Sequence, residues 1–306
     1  MLKKIILAPY RGFCAGVDRA ILVVEECLKK FGRVYVNHQI VHNTFVVSDL
    51  EKKGAVFIDD IESVPEHSIL IYSAHGVSPQ LKSKTKNLNL IPIDATCPLV
   101  TKVHIEAIDF YRRGYSIVFI GHRNHQEAIG TIGYSPMYLV EDKTDIENLK
   151  IDNDKIVYLT QTTLSIDDTK NVVASLKEKF PNIESPKKED ICYATQNRQD
   201  SVKELAKTCQ LILVVGSKNS SNSKRLVETS KSYGVNSFLI DDKSQINFNW
   251  FQSVETIGIT SGASVPEFLV QEVVNEICSH FGKIEIENVE RANEGIEFIL
   301  PKELIL

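Results

Sequence analysis

SIVFI, Ser116–Ile120, runs directly into GHRNHQEAIG, Gly121–Gly130. The first five residues are a continuous apolar run rich in β-branched side chains, which reads as a strand buried on both faces. The glycine and polar residues behind it mark where that strand stops. Two imidazoles and a carboxylate, His122, His125 and Glu127, then fall within six residues. They are a workable first shell for zinc or non-heme iron, and they equally suit proton transfer to a bound anion.

The same build recurs along the chain. KKIILA, RVYVN, AVFID, SILIYSA, LIPIDA, MYLVE, KIVYLTQ, LILVVG, SFLID and TIGITSG are short β-rich runs separated by helical stretches. Apolar strands alternating with helices predict parallel sheets covered on both faces, and the fold class is α/β. In such sheets the functional loops lie beyond the carboxyl ends of the strands, where the following helices also point their N-termini. The segments at those ends are PYRGFCAGVDRA, HQIVHNTFV, HGVSPQ, TCPLVTK, GHRNHQE, TQTTLSIDD, GSKNSSNSKR and SGASVPE, nearly all rich in Cys, His, Ser, Thr, Asn or Gly.

These ends group into three rounds. Cys14 precedes the His42 and His75 loops, Cys97 the His125–Glu127 and Thr162 loops, and Cys192 the Ser220–Asn222 and Ser264 loops; 83 residues separate the first two cysteines and 95 the second two. The order of elements predicts three α/β units, 15–97, 98–192 and 193–281, with 1–14 adding to the third and 282–306 as a C-terminal tail. No residue-level repeat accompanies this symmetry, and no Gly/Ser-rich linker divides it.

At 306 residues, with 43% hydrophobic and 25% charged side chains, the composition is that of an ordinary globular protein and disfavours disorder. A net charge of −5 argues against broad nucleic-acid binding. No run of about 18 apolar residues is present, and MLKKIILAPYRGFC is too short in apolar residues before Arg11 for a secretory signal. An intracellular, soluble protein is expected, free of nucleic acid and membrane. Neither a Walker A loop nor a dinucleotide fingerprint occurs.

The six cysteines include no CxxC pair. Cys27 and Cys278 lie in amphipathic helical patterns and Cys209 just before an apolar strand, where small buried hydrophobes are expected. Cys14, Cys97 and Cys192 each stand at or beside a strand-to-helix junction. A helix N-terminus there, carrying roughly half a positive charge, favours a thiolate. Three thiolates can hold an iron–sulfur cluster with one iron left open, although buried structural thiols are the commoner reason for dispersed cysteines. GSKNSSNSKR offers glycine, hydroxyls, an amide and backbone N–H groups suited to a phosphate, or simply a helix cap; SGASVPE, with Ser264, admits the same two readings. His42 and His75 are either structural or donors to an anion, and a neighbouring diphosphate would raise their pKa.

Taken together, APYRGFCAGVDRA, VHNTFV, SAHGVSP, DATCPLVTKVH, GHRNHQE, TQTTLS, DICYATQNRQ, GSKNSSNS and TSGASVPE resemble, in order, the signatures of the 4-hydroxy-3-methylbut-2-enyl diphosphate reductase (LytB/IspH) family. The resemblance spans nearly the whole chain and thins after about Gly282. It implies three pseudo-symmetric α/β units with parallel sheets, arranged as a cloverleaf around one [4Fe-4S] cluster per chain, held by Cys14, Cys97 and Cys192 with one iron open. It implies a diphosphate pocket at His42, His75, His125, Ser220, Ser221, Asn222 and Ser264. Glu127 and Thr162 match the positions that protonate and organise the substrate hydroxyl, so Glu127, Thr162 and His125 are the candidate catalytic residues.

The implied reaction removes the allylic hydroxyl of (E)-4-hydroxy-3-methylbut-2-enyl diphosphate, giving isopentenyl and dimethylallyl diphosphates. Its electrons come from ferredoxin or flavodoxin. Lys187, Lys188 and Arg198 flank Cys192 and are candidates to dock such an acidic donor, though lysine pairs are more often a solvated face. The implied compartment is bacterial cytoplasm, or plastid or apicoplast stroma for a processed eukaryotic chain. A non-redox iron–sulfur dehydratase and an anion-binding sensor, with zinc or no metal at the cysteines, are the competing classes.

Overall fold

The computed structural model describes residues 2–289 and 294–305. Its strands, in chain order, are β1 (Lys4–Leu7), β2 (Val34–Asn37), β3 (Ala55–Ile58), β4 (Ile69–Tyr72), β5 (Ile91–Asp94), β6 (Ser116–Ile120), β7 (Met137–Val140), β8 (Ile156–Thr160), β9 (Leu211–Val215), β10 (Asn236–Ile240), β11 (Thr256–Ser261) and β12 (Glu285–Asn288). They form three sheets, ordered β3-β2-β4-β5, β7-β6-β8 and β10-β9-β11-β1-β12. Every pairing is parallel. Parallel neighbours require crossover connections, and the intervening helices supply them. The α/β class with parallel sheets is as the sequence predicts.

The chain folds into two units. One comprises Met1–Ala15, His42–Val46 and Tyr193–Glu297 and holds the five-stranded sheet; the other comprises Gly16–Val41, Val47–Cys192 and Phe298–Leu306 and holds the four- and three-stranded sheets.

In the first unit, successive side chains of β9 point to opposite faces. Leu211, Leu213 and Val215 join Val270, Val273 and Ile277 of the helix Glu267–Phe281. Ile212 and Val214 join Val202 of the helix Tyr193–Leu205 and Leu226 of the helix Ser221–Ser232. In the second unit β6 does the same. Val118 and Ile120 pack with Leu176 of the helix Ile166–Lys179, whereas Ile117 and Phe119 pack with Val103, Ala107 and Phe110 of the helix Pro98–Arg112. Each fully buried Val, Leu or Ile contributes about 1.5–3 kcal/mol of transfer free energy. Covering both faces is what turns SIVFI and LILVV into unbroken apolar runs.

Past Gly282, where the sequence offers no element, EIEN forms β12 beside β1. Its four residues are all exposed, and Lys4 pairs with both Glu285 and Glu287. Among the described residues no helix is long and apolar enough to cross a membrane.

Candidate active site

In the first unit the polar loops gather at the carboxyl ends of β1, β9 and β11. Gly12 takes a positive φ of 77°, which glycine adopts without strain. The turn it makes is held by its N–H donating to Ser261 Oγ at 2.9 Å and by Arg198 Nη2 donating to its carbonyl at 2.7 Å. Cys14 follows, its N–H bonded to the Ala263 carbonyl, immediately ahead of the helix Ala15–Phe31. Ser264 Oγ donates to the His42 carbonyl at 2.9 Å, and the Thr44 N–H donates to Ser217 Oγ at 3.2 Å. Cys14, His42 and Ser264 are thereby fastened to one set of strand ends.

The GSKNSSNSKR loop shows the capping that its sequence allows. Ser220 is the N-cap of Ser221–Ser232, accepting from the Ser223 N–H at 3.3 Å and from the Ser223 hydroxyl at 3.1 Å. Asn222 is different: both ends of its side-chain amide are buried without a hydrogen-bond partner. An unsatisfied buried polar group costs about 1–3 kcal/mol, and the Asn222 amide is one of several in the fold. Space is tight around the neighbouring Ser223 hydroxyl. A Cβ at Gly262 would lie 2.1 Å from Ser223 Oγ, and one at Gly216 would lie 2.3 Å from the same atom.

In the second unit Cys97 is the N-cap of the helix Pro98–Arg112, with proline at the first helical position. Its N–H donates to the Ala74 carbonyl, next to His75. The His75 ring meets the His125 ring edge to face, centroids 5.8 Å apart, and its Nδ1 lies 3.3 Å from Ser73 Oγ. His125 precedes the helix Gln126–Ile132 in extended conformation, and its Nδ1 accepts the Glu127 N–H at 3.2 Å. With Nδ1 an acceptor, the neutral ring carries its proton on Nε2.

Glu127 is only 2% exposed. Its Oε1 accepts the Thr162 N–H at 2.7 Å and its Oε2 accepts the Thr162 hydroxyl at 3.0 Å. Burial pushes this carboxyl up to about 7; the two Thr162 bonds oppose the rise, and the charge of Asp190 adds to it. The Thr162 carbonyl in turn accepts the Cys192 N–H at 3.0 Å, immediately ahead of the helix Tyr193–Leu205. Cys97, His75, His125, Glu127, Thr162 and Cys192 thus belong to one connected set.

The three polar groups of GHRNHQEAIG have different partners. Glu127 is committed to Thr162, His125 Nδ1 to the helix start, and His122 Nδ1 lies 3.6 Å from Glu141. Among the described residues no three His, Cys, Asp or Glu side chains gather to hold a single metal ion.

Cys14, Cys97 and Cys192 are all part-exposed, whereas Cys27 and Cys209 are buried, with thiols pushed up to about 11 by burial. Cys27 and Cys209 are core residues, and Cys278 packs at the edge of the core.

One expectation is corrected. Arg198 does not offer its charge to a donor protein: it is wholly buried, spanning Gly12, Ala194 and Glu294. Lys187 and Lys188 are exposed. Ser217 and Ser261 brace the loops of the first unit and Gln161, Lys102 and Asp190 those of the second, and no sequence motif assigns them a role. The signal available for Gln161 was its place in TQTTLS, where its Oε1 accepts the His122 N–H.

A model of the LytB protein family matches residues 5–278. The chain belongs to the LytB family. Among LytB relatives it is 50% identical over 311 residues to the 4-hydroxy-3-methylbut-2-enyl diphosphate reductase of Psychrobacter sp. (strain PRwf-1), covering 98% of this chain and 97% of that one. It is 51% identical over 308 residues to the enzyme of the same name from Haemophilus influenzae (strain PittGG), covering 98% of each. The E-1-hydroxy-2-methyl-but-2-enyl-4-diphosphate reductase from Plasmodium falciparum superposes with a TM-score of 0.96 at 43% identity, covering 100% of this LytB chain and 98% of that one. A further solved (E)-4-hydroxy-3-methyl-but-2-enyl diphosphate reductase, described as the terminal enzyme of the non-mevalonate pathway, gives a TM-score of 0.66 at 34% identity over 91% of this chain and 100% of that one.

Proposed function

We propose that this chain is a 4-hydroxy-3-methylbut-2-enyl diphosphate reductase, an oxidoreductase of the non-mevalonate isoprenoid pathway. It replaces the allylic hydroxyl by hydrogen: two electrons and two protons enter, and water leaves with isopentenyl or dimethylallyl diphosphate. The observation that carries the reading is the Glu127–Thr162 pair, a buried carboxyl poised near neutrality whose hydroxyl partner shares a residue with the backbone anchor of Cys192.

Reductases of this family are iron–sulfur proteins. In our reading Cys14, Cys97 and Cys192 hold a [4Fe-4S] cluster with one iron open. The fit rests on donor chemistry: each is a part-exposed thiol directly at a helix N-terminus, where the thiolate is favoured. A cluster of several irons also separates its thiolates more widely than the ligands of one ion. When bound, the cluster supplies electrons and a Lewis-acidic iron.

The remaining steps belong to side chains. Hydroxide is a poor leaving group, so a proton must reach the departing oxygen. Glu127 is poised to hold or release one near neutral pH because burial disfavours the anion, and the Thr162 hydroxyl is placed to relay it. The His125 Nε2–H, His42 and His75 orient the diphosphate, with Ser220, Ser221, Asn222 and Ser264; the unpaired Asn222 amide is the group most in need of that ligand. Three α/β units bounded at Cys97 and Cys192 belong to the same reading. So do ferredoxin or flavodoxin as donor, docking near Lys187 and Lys188, and a bacterial cytoplasmic or plastid setting.

Anaerobic assay with the allylic diphosphate tests the activity. Both C5 diphosphates should form only when a low-potential reductant is present. Turnover without reductant, or no product with it, contradicts the proposal.

A further inference from the structure

Beneath the Cys192 loop lies a charged pair to which the reaction assigns no part. Lys102 stands on the helix Pro98–Arg112, five residues past Cys97. Its Nζ donates to Asp190 Oδ1 at 2.7 Å and to the Lys188 carbonyl at 2.8 Å, and it lies 3.2 Å from Glu106. Asp190 is two residues ahead of Cys192, with its side chain shielded from solvent. Its second oxygen, Oδ2, accepts the Thr160 N–H at 2.8 Å. Thr160 closes β8, and two residues on, the Thr162 carbonyl takes the Cys192 N–H. The segment 188–192 is therefore fixed from one side by the Cys97 helix and from the other by the strand that leads to Thr162.

A buried ion pair is a poor device for stability alone, because apolar residues of the same volume do as well or better. What it adds is a unique arrangement. The Lys102 side chain keeps 27% exposure whereas that of Asp190 has none, so losing the lysine strands the carboxyl in a dry site, and the paired charges with their hydrogen bonds favour one geometry. The geometry protected here is the placement of the Cys192 backbone against the helix that Cys97 caps and against Thr162.

We propose that Lys102 and Asp190 form a positioning latch that sets where the Cys192 thiol stands relative to the Cys97 helix and to Thr162. Both act as positioning residues, through the backbone on either side of Cys192. The proposal rests on the functional reading only in taking the two cysteines as cluster ligands.

The full-length chain, stripped of iron, is alkylated with iodoacetamide and each cysteine is followed by mass spectrometry. In Lys102→Met, Cys192 should react about tenfold faster or more while Cys97 stays within about twofold, and Lys102→Arg should restore Cys192 to within about threefold. In the cluster-loaded protein, Lys102→Met should release iron to a chelator faster by a similar factor. Unchanged Cys192 reactivity in folded Lys102→Met, or equal acceleration at every thiol, overturns the latch. Should Lys102→Met fail to fold, Asp190→Asn keeps the Thr160 acceptor while removing the charge, and the same Cys192 criterion decides. A wild-type chain that never acquires iron would refute the cluster reading and leave the alkylation result to judge the latch by itself.

Discussion

Replacing Glu127 by Gln exchanges a titrating group for a neutral one of nearly the same shape. The wild-type carboxyl titrates at about 7 in the folded chain against an ordinary value of 4.5. A shift of roughly 2.5 units is worth about 3 kcal/mol. The sign follows from proton binding. A raised acid holds its proton in the folded chain where the unfolded chain has released it, so its contribution is fully present below pH 4.5 and is lost as pH rises through 7. About 2.5 kcal/mol of the loss falls between pH 5 and pH 8. Glutamine carries no such dependence; its amide keeps the Thr162 N–H bond, and the Thr162 hydroxyl can turn to accept, an offset that is independent of pH. Anaerobic thermal melts of both proteins at pH 5 and pH 8 measure the effect. Relative to wild type, Glu127→Gln should gain on the order of 5 °C in going from pH 5 to pH 8, while turnover at pH 7.5 falls about a hundredfold or more. Parallel melting curves at the two pH values would mean that the carboxyl is already ionised at pH 5, and wild-type-like turnover would remove it from proton delivery.

Other perturbations test the surroundings. Gly262→Ala drives a Cβ against Ser223 Oγ; it should weaken binding of inorganic diphosphate about tenfold by calorimetry, and adding Ser223→Ala should recover most of it. Arg198→Met strands the Gly12 carbonyl and Glu294, so it should cost about 3 kcal/mol or more in melting experiments without a special effect on donor docking. Charge reversal at Lys187 and Lys188, both exposed, should slow reduction by an acidic electron-transfer protein about tenfold at low ionic strength, and the difference should vanish near 0.5 M salt.

Periodicity alone exposed most of the fold. Eleven of the strands lie where apolar runs stand; in central strands such as LILVV and SIVFI burial on both faces leaves little room for polar residues. EIEN escaped for the opposite reason: β12 is an edge strand with every residue exposed, held by backbone pairing to β1 and by the Lys4 ion pairs, and neither leaves a hydrophobic pattern. Local motifs marked the loops where Cys97, His125, Glu127 and Ser220 cap or begin helices. Partnerships across long separations were out of reach. Lys102 finds Asp190 88 residues away, and nothing in VTKVH announces it. Arg198 reads as a surface charge in a polar helix, yet it is buried because the carbonyl of Gly12, 186 residues earlier, needs a donor.

Iron and sulfide content with Mössbauer spectra, on anaerobically purified chain, tests the cysteine assignment most directly. About four irons and four sulfides per chain are predicted, with one iron signal shifting when the allylic diphosphate is added. Serine at Cys14, Cys97 or Cys192 should abolish that pattern, and serine at Cys27 should leave it intact. Zinc in place of iron, or a full iron complement retained after serine replaces any of the three, would contradict it.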